Sequence, residues 1–391
     1  MPDGREAITV KVIPSVSEVT SQAWDECAGK SHPFTRHAFL SALEDSGSAT
    51  AETGWQPQHL IIESLSGDII GATPLYLKNH SYGEYVFDWG WADAFERAGG
   101  NYYPKLQCSV PFTPVTGNRF LIPDTIDKEQ AGELKRALGG AMVQLADRLN
   151  ISSVHVTFSN EDEWQLLTDV GFLQRTGQQF HWHNKGYASF DDFLSDLTSR
   201  KRKQIRKERR TVSEKKLTIK ALSGSDIKEH HWDAFYRFYL STTDKKWGSS
   251  YLTRSFFSLL GERMGDQVVL IIVEDGDHLV AGALNLKSDD TLYGRNWGCL
   301  ATHKFLHFEA CYYQAIDYAI EHGLKRVEAG AQGPHKIQRG YLPSYTYSAH
   351  WINHPGLKDA IEDFLAHERL GIEFEMREYA QHSPFRNPEN S

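Results

Sequence analysis

Thirteen residues, Glu328-Ala329-Gly330-Ala331-Gln332-Gly333-Pro334-His335-Lys336-Ile337-Gln338-Arg339-Gly340, gather a carboxylate, two amides, an imidazole and two cations. Glu328 sits between Val327 and Ala329 at the end of an apolar stretch, where a carboxylate is costly unless it is paired or used. Gly330 and Gly333 let the backbone come close to a ligand. Glu328 and His335 are therefore the candidates for taking a proton. Lys336 and Arg339 are the candidates for holding developing negative charge. An ordinary charged loop is the plainer reading. The glycine spacing and the aromatic run that follows, Tyr341, Tyr345 and Tyr347, weigh against it.

A second constellation is cationic. Arg200–Lys216 carries ten Lys or Arg against two Glu, within a chain whose net charge is −9. A basic strip on an acidic body suits a local polyanion contact, such as the phosphates of a cofactor or of RNA. Lys203, Arg206 and Lys207 are the residues named for it, and a solvated basic helix is the alternative. His303, His307 and Glu309 form a third group. The two histidines stand at i and i+4, but Lys304 occupies the place that a zinc-protease helix gives to Glu, so packing, capping or substrate contact ranks ahead of metal. Asp88 and Arg295 are charges in otherwise apolar stretches, suited to ligand recognition or to structural pairing. Trp297 stands beside Arg295, and Lys246-Trp247-Gly248 follows a helix as a pocket rim or a plain stop.

The elements that must position these groups follow from hydrophobic periodicity. Tyr85-Val86-Phe87-Asp88-Trp89-Gly90 and Tyr293-Gly294-Arg295-Asn296-Trp297-Gly298 share a Tyr-x-x-Asp/Asn-Trp-Gly pattern. Each follows a turn and a strand, and each precedes a helix and a short strand, which implies a duplicated α/β domain. The first copy is read as strand Ile8–Ile13, a hairpin of His59–Ser64 and Ile69–Leu77, a third strand Tyr85–Trp89, a long helix Lys128–Leu149 and strand Ser153–Phe158. Gly90–Arg119, rich in Gly, Pro and aromatics, is read as an irregular inserted loop of the kind that binds ligands. The second copy is read as a basic helix Phe190–Val212, a hairpin Gln267–Val273 and Leu279–Leu286, a strand Thr291–Trp297, a helix His307–His322 closed by Gly323, a strand Leu324–Ala329 and a C-terminal helix Gly356–Glu378. The boundary falls at Asn184-Lys185-Gly186, giving domains 1–184 and 185–391.

Composition narrows the class. Four cysteines without CxxC spacing read as reduced thiols in a cytosolic protein. The longest strongly apolar run, Val268–Val273, is far short of the roughly 18 residues of a membrane span. The N-terminus shows no secretory signal pattern.

This order of elements resembles the GNAT acetyltransferase fold, present twice. The chain is similar to the Fem family of peptidyl and aminoacyl transferases, and in whole-chain features to a FemAB-like branch of N-acyltransferases. Lys201–Glu208 resembles the family's basic segment, and Glu328–Gly333 with Lys336–Tyr341 resembles its Gly-rich stretch. His32-Pro33-Phe34, Phe87–Trp91, Pro111–Gly117 and Lys246-Trp247-Gly248 carry the resemblance to the branch. The Gln/Arg-x-x-Gly-x-Gly/Ala pyrophosphate loop of many GNAT enzymes is missing from the sequence.

The resemblance implies a tandem α/β (α+β) fold and transfer of an acyl or aminoacyl group to an amine acceptor, a small molecule or a peptide, by direct attack. The donor would be acyl-CoA, or aminoacyl-tRNA as the alternative, with no metal. A cell-wall-precursor binding module without catalysis is the rival class. On this reading Glu328, His335 and Lys336 are catalytic. Lys203, Arg206, Lys207, His307, Gln332, Gly333 and Arg339 hold the donor in the second domain. Asp88, Arg295, Trp297 and Lys246 meet the acceptor, whose choice the first domain shapes.

Overall fold

A computed structural model describes residues 8–246, 250–301, 303–330 and 333–386, with the side chains of 243–246 outside the description. The chain is an α/β protein of mixed sheets flanked by helices. Its strands in order are β1 Val10–Ile13, β2 Trp55–Pro57, β3 His59–Glu63, β4 Ile69–Thr73, β5 Leu75–Lys78, β6 Lys105–Cys108, β7 Ser153–Ser159, β8 Leu173–His183, β9 Thr218–Leu222, β10 Val268–Asp275, β11 His278–Lys287, β12 Thr291–Cys299, β13 Arg326–Glu328 and β14 Leu342–Ile352. It divides into two compact units. Unit 1 comprises 1–177 and 346–372, and unit 2 comprises 178–345 and 373–391. The sequence boundary at 184/185 is linear, whereas each unit draws on two separate stretches of chain.

In unit 1, β1, β3 and β4 form a three-stranded antiparallel sheet. Pro74, which cannot donate to a ladder, separates β4 from β5. A second sheet runs β2-β5-β6-β7-β14, in which β6 and β7 are parallel and the other pairs antiparallel. The helix Lys128–Leu149, capped by the Asp127 side chain, buries Leu134, Leu138, Met142 and Ala146 against Leu75, Leu106, Cys108, Val154 and Val156.

In unit 2 the order is β9-β10-β11-β12-β13-β8, with β12 and β13 parallel and the rest antiparallel. Its core packs Val269, Ile271, Ala283, Leu292 and Val327 against helical Ala310, Tyr313, Ile316 and Ala319. The basic stretch is two helices rather than one, Phe190–Ser195 and Ser199–Ser213, the second burying Ile205, Glu208 and Val212.

The two Tyr-x-x-Asp/Asn-Trp-Gly motifs do not occupy equivalent places. Tyr293–Gly298 lies in β12. Tyr85–Asp88 is neither helix nor strand, and Trp89 opens a helix, Trp89–Arg97. The reason is the period of the apolar residues: Trp91 and Phe95, four apart, reach one apolar cluster with Tyr102, Ile361 and Leu365, which is helical spacing. The glycines differ in cause too. A Cβ on Gly298 would overlap the Phe238 carbonyl oxygen at 1.9 Å, while one on Gly90 would meet nothing within 4 Å.

The strand of unit 1 that matches β12 is β6, inside the stretch read as an irregular insertion. Leu106 pairs with Val154 as Leu292 pairs with Val327. The next pairs are Gln107 with His155, and Tyr293 with Glu328. One strand further on, His155 faces His350 and Glu328 faces His181. The duplication is therefore marked by His181-Trp182 and His350-Trp351.

Candidate active site

β12 and β13 are paired only from Thr291 to Tyr293. Beyond Glu328 the backbone turns at Gly330, φ +74°, and the two strands part. On β12 a bulge sets Arg295 and Asn296 opposite the single residue Leu284. Bulges re-aim side chains, and here Arg295, Asn296 and Trp297 line a cavity of about 80 Å³ with Asn285, His307, Cys311, Tyr312 and Ala329. Arg295 and Trp297, named for the acceptor, and His307, named for the donor, thus line one cavity. Asn285, Asn296, Cys311 and Tyr312 carried no spacing signal and were missed.

The helical wall of this cavity is not one regular helix. A turn Leu306–Phe308 leads into a π-helical segment, Glu309–Tyr313, and then the helix Gln314–Glu321. Such segments are frequent at functional sites. Glu309 is buried, accepts from Arg209 at 3.1 Å and from Gln314 at 2.8 Å, and belongs to the packing of this wall. Among the described residues no group of three or more His, Cys, Asp or Glu could hold a metal.

Glu328 is 3% exposed. Its neighbours Val327 and Ala329 pack into the core, so its carboxylate leaves the strand on the other face, where Arg326 Nε lies 3.0 Å from Oε1 and His181 Nε2 lies 3.9 Å from Oε2. Oε2 has no hydrogen-bond donor. Burial pushes the carboxyl up to about 7, against the pull of Arg326 and Arg295. Glu328 is not among the lining residues of the cavity. It is linked to it through Arg295, which both lines the cavity and acts on the Glu328 charge.

Lys336 is buried in the short helix Pro334–Arg339 and donates to the Gly330 carbonyl at 2.9 Å. Burial pushes its amine down to about 8. His335 Nε2 and Tyr312 Oη are 3.0 Å apart, in a ring cluster with His307 and Phe308. At Gly333, φ +117°, an added Cβ would stand 2.4 Å from the His335 ring. Gly333→Ala is expected to cost about 1–3 kcal/mol through this conformation and crowding. It should also displace His335, lowering the unfolding midpoint of unit 2 in calorimetry.

Arg339, named for the donor, is buried in unit 2. Its guanidinium pairs with both oxygens of buried Glu208 at 3.0 Å, donates to the His335 carbonyl at 2.8 Å and lies 3.5 Å from the Phe308 ring centroid. Lys203, Arg206 and Lys207 are exposed on Ser199–Ser213, and Arg206 pairs with Asp191 at 2.9 Å. Asp88 is buried in unit 1, bound by Lys105 and Tyr102. Gln332 and the side chain of Lys246 lie outside the described residues.

A family model, FemAB-like, described as peptidoglycan biosynthesis/recognition, matches residues 15–387. No curated protein matches the sequence. Among solved structures, FemX is similar with a TM-score of 0.54 at 13% identity, over 88% of this chain and 98% of its own. A tandem GNAT protein from the clavulanic acid biosynthesis pathway has a TM-score of 0.47 at 10% identity, over 89% of this chain and 99% of its own. At 13% identity the likeness to FemX is one of fold.

Proposed function

The chain belongs to the FemAB-like family, and from that premise we propose that it is an N-acyltransferase whose reaction centre lies in unit 2. The observation that carries the reading is the gap between β12 and β13, with a polar cavity on one face of the sheet and buried Glu328 on the other. The acyl carbonyl of the donor occupies the cavity. The acceptor, as the neutral amine, approaches from the Glu328 face and attacks the carbonyl carbon, and as the carbon–nitrogen bond forms its nitrogen gives a proton to the carboxylate. Arg295 and Asn296 stabilise the resulting oxyanion. The carbon–sulfur bond of a thioester then breaks, the leaving sulfur takes a proton from Tyr312, whose hydroxyl lies 3.0 Å from His335 Nε2, and solvent returns a proton to Tyr312 and takes one from Glu328. No covalent enzyme intermediate is needed. We take an amine of a peptidoglycan-precursor peptide as the acceptor class, a reading the family's description supports, and place the reaction in the cytoplasm with its donor.

Acyl-CoA is the donor we favour. The exposed Lys203, Arg206 and Lys207 favour aminoacyl-tRNA as the second reading, with an ester oxygen as the leaving atom. No helix among the described residues is long and apolar enough to cross a membrane. Thermal protection by acyl-CoA and by charged tRNA, measured in parallel, separates the donors. Stabilisation by acyl-CoA, weakened in Arg295→Met, which removes a charge from the cavity lining, is the expected result. Protection by charged tRNA alone, falling steeply with salt, selects the second donor. Protection by neither overturns the transfer reading.

A further inference from the structure

Unit 1 holds a second buried ionic centre, which the transfer reaction above does not use. One face of β5, β6, β7 and β14 packs on the long helix. The other carries Tyr76, Lys78, Lys105, Gln107, His155 and His350, none more than 1% exposed. Lys78 stands directly opposite Lys105 in the ladder, a pairing that repels unless carboxylates offset it. Glu84 and Asp88, from the segment between β5 and β6, supply them.

A count of donors shows what this centre lacks. An ammonium has three N–H groups. Lys105 Nζ directs its three at Ser81 Oγ, Glu84 Oε2 and Asp88 Oδ2. Lys78 Nζ reaches the Tyr82 carbonyl at 3.1 Å and His80 Nδ1 at 3.3 Å, lies over the Trp55 ring, and is 3.8 Å from Glu84 Oε1, too far for a hydrogen bond. Tyr102 Oη donates to the already engaged Asp88 Oδ2. Glu84 Oε1 and Asp88 Oδ1, in side chains 4% and 2% exposed, are left without any donor. Gln107 Oε1, on the same sheet face, is a third such acceptor.

We infer that this centre is a binding site for a primary ammonium group, whose N–H donors and positive charge complete Glu84 and Asp88. An anionic ligand would be repelled by the two carboxylates, and a ligand without N–H or O–H donors would leave the same oxygens unmatched. The route in is marked by three exposed aromatics beside the carboxylates, Tyr82, Phe87 and Trp89. Tyr82 and Trp89 meet edge to face at 4.7 Å, and such rings attract cations. The stretch from Asn79 to Asp88 is neither helix nor strand, so admitting a ligand breaks no ladder.

The inference stands apart from the transfer reading, because its test contains no acyl donor. Calorimetric titration at constant ionic strength would compare methylammonium with tetramethylammonium, which has the charge but no N–H. Saturable one-to-one binding of methylammonium, at least tenfold tighter than tetramethylammonium, is the expected result. Glu84→Gln should weaken it at least tenfold, and Glu328→Gln should leave it unchanged. Absence of saturable methylammonium binding, equal binding of the two cations, or loss in Glu328→Gln with retention in Glu84→Gln would each overturn the proposal. The comparison of cations needs only the wild-type protein, so it decides the matter even if Glu84→Gln fails to fold.

Discussion

Glu328→Gln should lower the rate of acyl transfer about 10²–10⁴-fold, the range a positioned proton acceptor supplies, while the protein stays folded. The wild-type rate at saturating donor should rise with pH through about 7, where burial has moved this carboxyl, and level off above it. The residual rate of the variant should lack that step. Stability provides an independent readout with the opposite sign. The folded-state pKa lies above the unfolded value of 4.5, so the folded protein holds this proton more tightly. Its contribution is fully present below 4.5 and is lost as pH rises to about 7. Above that, keeping the carboxylate buried costs on the order of 3 kcal/mol, at 1.36 kcal/mol per pKa unit. Glu328→Gln has no such charge, so at pH 8 it should melt no lower than wild type although it is nearly inactive. A variant with wild-type turnover would remove Glu328 from the reaction. One that is inactive and melts far lower at every pH would mark it as structural.

Arg339→Met should act in the reverse way, through stability before binding. The guanidinium is the partner of both Glu208 oxygens and covers the Phe308 ring. Removing one member of a buried ion pair typically costs about 3–5 kcal/mol, because the other charge stays buried. At about 2–4 °C per kcal/mol for a unit of this size, the unfolding midpoint should fall by roughly 10 °C. Glu208→Gln combined with Arg339→Met should recover part of that loss, since no carboxylate then remains unpaired. A donor-binding role would instead leave the midpoint unchanged and raise KM for the donor alone.

The two residues show where reading the sequence works and where it stops. Local periodicity gives the helix Lys128–Leu149 to the residue and the β10–β11 hairpin to within one or two residues, because hydrophobic spacing and turn chemistry are local. It also places Glu328 at a strand end and Gly333 in the glycine-spaced stretch that follows. It could not show that Arg339 belongs to Glu208, 131 residues earlier in the chain, because a charge looks the same whether it faces a ligand or an ion-pair partner. The third strand of unit 1 was mistaken for the same reason of range. Tyr85–Trp89 matches β12 in letters, but strand identity is decided by partners, and β6 finds its parallel partner β7 some fifty residues on. Polar and apolar residues alternate along β5–β7, the pattern of a sheet with one face open to water. Only the fold reveals that its polar face is covered. His181-Trp182 and His350-Trp351 were the legible trace of the duplication, short enough to pass unnoticed without the ladders around them.

The way each compact unit draws on two stretches of chain has a consequence for synthesis. Strand β7 ends at Ser159, and its partner β14 is not made until some 190 residues later. At about 5–20 residues per second, the nascent first unit waits on the order of ten to forty seconds with the edge of β7 unpaired. Such an edge is open to pairing with other chains. The first half of this protein therefore leaves the ribosome as an unfinished fold, and a stop codon anywhere before residue 346 leaves it so permanently.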